Sequence, residues 1–144
     1  MTRAGRIVDA LGGDKALRSR VQTLEQLRQS IRRGLPFQAF EAVTANYGLF
    51  KPAVGRVLRT PERTLVRRKH GARFLADESD RLVRVARIAA LAEEILGRRD
   101  KAGRWLQKPN RALGGATPLE HLDTELGARE VEQVLGRIGH GIVG

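Results

Sequence analysis

Residues 77–97 read DESDRLVRVARIAALAEEILG, and the reading of this stretch decides the fold. Leu82, Val85, Ala86, Ala89, Ala92, Ile95 and Leu96 recur at three- and four-residue spacing, the period of one helix face rather than of a strand. Asp77, Glu78 and Asp80 fall in the first turn, where exposed N–H groups favour carboxylates, and Gly97 ends the run. A helix of about 19 residues spans about 28 Å, long enough to be the spine of a small domain. With Ile88 and Leu91 added, the apolar residues cover more than half of its circumference. That width predicts burial partly against neighbouring helices and partly against a second protomer.

The same period extends to both sides. Leu17, Val21, Leu24, Leu27 and Ile31 predict one helix over 14–33, with Asp14 as N-cap and Gly34 just past its end. Pro36 then opens a helix whose Phe37, Phe40, Val43 and Tyr47 form one stripe. Short helices are expected over 52–58 and 61–70. Downstream, Trp105 and Leu106 sit on a short helix cut off by Pro109, and Trp105 reads as a core anchor. Thr117-Pro118-Leu119-Glu120 has the form of a capping box and predicts a helix with Leu119, Leu122 and Leu126 inward, ended by Gly127. A last helix over 128–138 turns Val131, Val134, Leu135 and Ile138 inward and leaves 139–144 as a helix-free tail. No segment alternates as a strand does. The expected fold class is all-α.

The chain has 144 residues, 41% hydrophobic and 30% charged, which suits one domain or two small ones sharing a core. It contains no Cys, which removes disulfide scaffolds, thiolate zinc sites and cysteine nucleophiles. The longest apolar run, Ile88 to Ala92, is far short of a membrane span, and the first residues lack a secretory signal. A cytoplasmic location with no membrane partner is expected. The net charge is +11 and unevenly distributed. Residues 1–75 carry sixteen basic and five acidic side chains, whereas 76–144 carry eleven of each. The shift predicts a boundary near 71–79, between a polyanion-facing domain over 1–75 and a neutral one over 76–144.

Within the basic half, residues 55–69 read as a helix-turn-helix. Gly55 permits a close helix crossing, Leu58 and Leu65 hold the pair together, and Arg59 to Pro61 makes the turn, with Arg59 where glycine is usual. The second helix would present Arg63, Thr64, Arg67 and Arg68 to a DNA groove, with Lys69 and Arg73 near phosphates, and Arg59 of the turn is counted with these DNA-binding residues. Two half-sites would require a homodimer.

Enzymatic readings lack support. His121, Asp123 and Glu125 look like metal ligands in the linear sequence, but helical residues two apart point away from each other. His70 follows Arg68 and Lys69 and suits a helix end or a phosphate neighbour. No catalytic triad, P-loop or dinucleotide fingerprint is present, so no catalytic residue, metal or cofactor is expected.

Beyond residue 77 the sequence also carries an ordered set of motifs. These are Trp105-Leu106, Pro109-Asn110, Leu113-Gly114-Gly115, Pro118-Leu119, Leu122-Asp123-Thr124, Gly127, Val131 and Leu135-Gly136-Arg137-Ile138 with Gly141. The region resembles the C-terminal toxin-binding domain of the Xre/MbcA/ParS antitoxins, the partners of RES-domain toxins. Leu11-Gly12-Gly13 and Arg63-Thr64-Leu65 resemble the DNA-binding half of the same family. The resemblance implies a protein that binds a RES toxin, an enzyme that consumes NAD or transfers ADP-ribose from it. It also implies dimerisation, a larger hetero-oligomer with the toxin, and repression of its own operon through operator DNA. Family members block the toxin's active site with their last residues, which here are Arg137, Gly139, His140, Gly141, Ile142, Val143 and Gly144. The alternative is a stand-alone helix-turn-helix regulator without a toxin partner, and the neighbouring gene discriminates between the two.

Overall fold

The computed structural model describes residues 1–141, and all the regular structure in them is helical. The predicted spine is α7, Ala76–Leu96. Against it pack α1 (Arg3–Ala10), α3 (Leu24–Arg33), α4 (Phe37–Tyr47) and α5 (Lys51–Leu58) from the first half, and α8 (Arg99–Leu106) and α9 (Glu125–Gly139) from the second. Leu82, Val85, Ala86, Ile88, Ala89 and Ala92 are consequently fully buried within the one chain. The broad apolar face is therefore covered mostly from inside, and its width is no argument for a second protomer. One continuous core runs from Ile7 to Leu135. The segment at the charge boundary belongs to it. Phe74 stacks with Phe37 at 6.2 Å between ring centroids, and its N–H donates to the Leu35 carbonyl at 2.9 Å.

Two expected helices are built differently. The 14–33 stripe is divided into α2 (Gly13–Leu17) and α3, because Arg18 adopts a left-handed φ of 54°. Asp14 lies inside α2 and is not its N-cap; its carboxylate accepts the Val21 N–H at 3.0 Å and pins the connecting loop. The cap of α3 is Thr23, in a reciprocal box with Gln26. Leu24 is left 50% exposed, off the apolar stripe. The helix α1, whose Ala4, Ile7 and Val8 are buried, was not anticipated.

Over 117–127, Thr117 does accept the Glu120 N–H at 3.1 Å, but only a 3-10 turn over Glu120–Asp123 succeeds it. Thr124 then restarts the chain as the N-cap of α9, accepting the Gly127 N–H at 3.0 Å. Leu126 consequently faces solvent, 74% exposed, instead of the core. Gly127 is not a terminator. It is buried inside α9, where a Cβ would lie 1.9 Å from the His121 carbonyl oxygen.

Candidate DNA-binding and toxin-binding surfaces

The helix-turn-helix is built from α5, a turn at 59–61, and α6 (Glu62–Lys69). α5 ends because Arg59 takes a left-handed φ of 58°, which lets the Thr60 N–H reach back to the Gly55 carbonyl at 3.0 Å. An arginine thus carries the conformation for which glycine is usual. At Gly55 a Cβ would stand 3.0 Å from Leu65 Cδ1, the close approach that the crossing requires. Leu58 is fully buried and Leu65 packs at the edge of the core.

Along α6, Arg63, Arg67 and Lys69 are exposed and Thr64 is half-buried, with Arg67 donating to the Thr64 hydroxyl at 3.3 Å. Arg59 is exposed beside them on the turn, and His70 caps the helix end. Two other expected DNA contacts have protein partners. Arg68 turns inward, its side chain 13% exposed, and pairs with Glu78 at 3.0 Å. Arg73 donates to the Gly34 carbonyl at 3.0 Å while its side chain stays at the surface.

Glu78 is the residue that sequence reasoning undervalued. Its acidic character at a helix start suggested only a favourable dipole interaction, yet it is 4% exposed. One carboxylate oxygen accepts the Thr60 hydroxyl at 2.7 Å; the other accepts the Arg68 guanidinium and the Leu75 N–H at 2.7 Å. Turn, recognition helix and spine are thereby fastened to one carboxylate. The same first turn supplies the Ser79 hydroxyl, which accepts the Leu35 N–H at 2.8 Å. The next turn supplies Arg81, which donates to the terminal Leu58 carbonyl of α5 at 2.9 Å. The only signal for Glu78 in the sequence was a carboxylate in the turn after a basic helix pair.

Charge pairing divides the molecule as the residue counts do. Among the described residues, Arg59, Arg63, Arg67, Lys69 and Arg73 have no carboxylate within 4.0 Å. In the second half, Arg84 pairs with Asp80 at 3.6 Å, Arg87 with Glu125 and Glu132 at 2.8 and 3.0 Å, and Arg98 with Asp100. The Arg98 hydrogen bond holds the Asp100 carboxyl well below the usual range. Burial pushes Glu125 up, but the hydrogen bond and charge of Arg87 outweigh it and leave the group lowered. Burial, joined by the Glu93 carboxylate 2.7 Å away, pushes the Tyr47 hydroxyl up. His121 stands 3.8 Å from Glu130, while Glu125 turns to Arg87.

At the end of the chain, α9 continues one residue beyond the expected stop, through Gly139. Arg137 is exposed on its last turn, as is Ile138, which was expected to face inward. Gly139 approaches Ile95 of the spine at 3.7 Å, measured from where a Cβ would be. His140 Nδ1 lies 2.7 Å from the Gly136 carbonyl, and Gly141 has a φ of 75°. Ile142, Val143 and Gly144 lie outside the described residues. No helix among the described residues is long and apolar enough to cross a membrane.

These features define a helix-turn-helix unit with unpaired cations, joined through a shared helix to a second, charge-balanced helical unit. Comparison with known families matches both parts. Residues 26–87 match the antitoxin Xre-like helix-turn-helix domain, and residues 91–141 match the antitoxin Xre/MbcA/ParS C-terminal toxin-binding domain. An antitoxin Xre of Photorhabdus laumondii is 38% identical over 120 residues, covering 81% of this chain and 80% of that protein. One from Yersinia enterocolitica is 33% identical over 118 residues, with 81% and 80% covered. A third, from Pseudomonas putida, is 44% identical over 82 residues, covering 56% of this chain and 52% of that protein. The chain belongs to the Xre/MbcA/ParS antitoxin family, non-enzymatic members of type II toxin–antitoxin systems. The first matched stretch ends and the second begins inside α7.

Proposed function

We propose that this antitoxin neutralises a RES-domain toxin by placing its C-terminal tail in the NAD-handling active site, and represses its own operon by binding operator DNA as a homodimer. In this reading residues 1–75 form the DNA-binding domain and residues 76–144 the toxin-binding domain, with the toxin complex assembling as a larger hetero-oligomer. The observation that carries the DNA half is the α5–α6 pair with Arg59, Arg63, Thr64, Arg67 and Lys69 at its surface. Arg68 then acts mainly by holding the recognition helix in place.

The plug reading rests on the motif resemblance over 105–141 and on the position of Arg137 and His140 at the exposed end of α9. A glycine-rich tail is slim enough to enter a pocket that excludes a helix. Ile142 and Val143 would supply burial there, while Arg137 and His140 hydrogen-bond groups that otherwise hold the dinucleotide.

Co-expression with the adjacent gene tests both claims. Deleting residues 140–144 leaves α9 whole, so folding and operator binding should persist while cellular NAD falls. Full protection of NAD by the truncated form would move inhibition to the helical surface. Failure of the intact protein to protect NAD, with operator binding retained, would favour the stand-alone regulator.

A further inference from the structure

Beside the segment that leaves the recognition helix lies a second cationic feature. A cavity of about 190 Å³ opens between the α2–α3 loop, the end of α3 and the segment leaving α6. Three arginines line it, Arg18, Arg33 and Arg73, together with Ser19 and Ser30, and no acidic residue does. Among the described residues, none of the three has a carboxylate within 4.0 Å. Like charges lining one cavity without a counter-ion repel one another, weakly where solvent screens them, so an entering anion is favoured.

The cavity is also held in shape. Arg73 donates to the Gly34 carbonyl at 3.0 Å, and Arg33 reaches the buried Ser30 hydroxyl at 3.4 Å. At Gly34 a Cβ would strike the Phe74 carbonyl oxygen at 2.1 Å, so the two backbones that bound the pocket are in direct contact. Arg18 holds an unfavourable left-handed backbone, φ 54°, at this rim. Backbone strain at a ligand clamp is a recurrent arrangement.

We propose that this pocket grips one backbone phosphate of the DNA whose groove α6 enters. The proposal rests on the helix-turn-helix reading above and deepens it. Arg73 is four residues beyond Lys69, the last residue of α6, so their backbones are at most about 14 Å apart. The major groove is about 12 Å wide, a span comparable with that separation. The tetrahedral oxygens of a phosphodiester also suit guanidinium forks better than a single-atom anion would.

A phosphate contact carries no sequence information, so a mixed-sequence duplex titrated across a salt series is the proper probe. Arg18→Gly removes a cation and relaxes the left-handed backbone, so the variant should fold; Arg33→Gln removes the second cation. The double variant should bind the duplex more weakly, with its log–log salt slope shallower by about 0.9 for each phosphate released. Arg63→Ala, in contrast, should lose operator preference and leave the pocket's share of the slope in place. An unchanged slope in the folded double variant, with wild-type binding intact, overturns the pocket alone. Absence of duplex binding by the wild type even at low salt overturns both the pocket and the helix-turn-helix reading.

Discussion

At Arg59 the conformation of one residue is in tension with its side chain. Its left-handed φ of 58° closes α5, and a side chain there costs about 1 kcal/mol relative to glycine's freedom. Arg59→Gly should therefore raise stability slightly, by about 0.5 kcal/mol at most after the extra flexibility of the unfolded chain is allowed for. The same change should weaken DNA binding, because it removes an exposed cation from the turn. Denaturant melts and DNA titrations of one variant would read both signs; a stabilised variant with unaltered affinity would remove Arg59 from the interface. Glu78 is the opposite case. Glu78→Ala strands the Arg68 guanidinium, the Thr60 hydroxyl and the Leu75 N–H in a nearly closed site. Losing one member of such a pair costs about 3–5 kcal/mol. A melt within about 1 kcal/mol of wild type would show that water or a rearranged Arg68 replaces the carboxylate.

At the scale of elements, the seating of α9 depends on close contact with the preceding 3-10 turn and on charge across to α7. Gly127→Ala puts a methyl group where the His121 carbonyl stands, so α9 must shift away from the preceding 3-10 turn. The expected loss is about 1–3 kcal/mol, accompanied by weaker toxin binding in a pull-down. From α7, Arg87 holds Glu125 and Glu132 at 2.8 and 3.0 Å. Burial raises Glu125 and Arg87 lowers it further, so the folded value lies below the unfolded one. Its contribution is present above the unfolded pKa of about 4.3 and is lost as pH falls through the folded value. Stability should be level from neutrality to about pH 5 and decline below about pH 4. In Arg87→Gln the decline should be shallower, which a pH series of thermal melts checks.

These elements also mark how far the sequence could be read. α4 and α7 were legible because their apolar periods coincide with clear stops. The break at Arg18 was hidden, since apolar spacing continued across it while the deciding contact, Asp14 to the Val21 N–H, joins residues seven apart around a loop. Likewise two threonine caps, Thr117 and Thr124, stand seven residues apart and both are used, a 3-10 turn following the first and α9 the second. The exposed face of α6 was legible from charge alone. That Arg68 faces Glu78 depends on where α7 returns, which local spacing does not specify.

For the whole molecule, the two family matches divide the chain inside a helix that both halves need. Leu11 in the first half and Leu122 in the second are fully buried in one continuous core. Unfolding the first half would uncover α7 along the face that α1, α3 and α5 cover, so the halves should melt together. Trp105, the only tryptophan, sits in the second half on α8, which packs against α4 of the first half as well as α7, so its fluorescence follows both sides of the joint. Leu11→Ala, a truncation in the other half, costs about 2–5 kcal/mol and should lower the Trp105 fluorescence midpoint as much as the midpoint by circular dichroism. A Trp105 transition unmoved by Leu11→Ala would instead establish two independent units. If the core is shared, toxin docking stabilises the DNA-binding half as well, by mass action on a common unfolding equilibrium. The helix-turn-helix should then resist proteolysis better in the toxin complex than in the free protein, although the toxin itself docks on the other half of the chain.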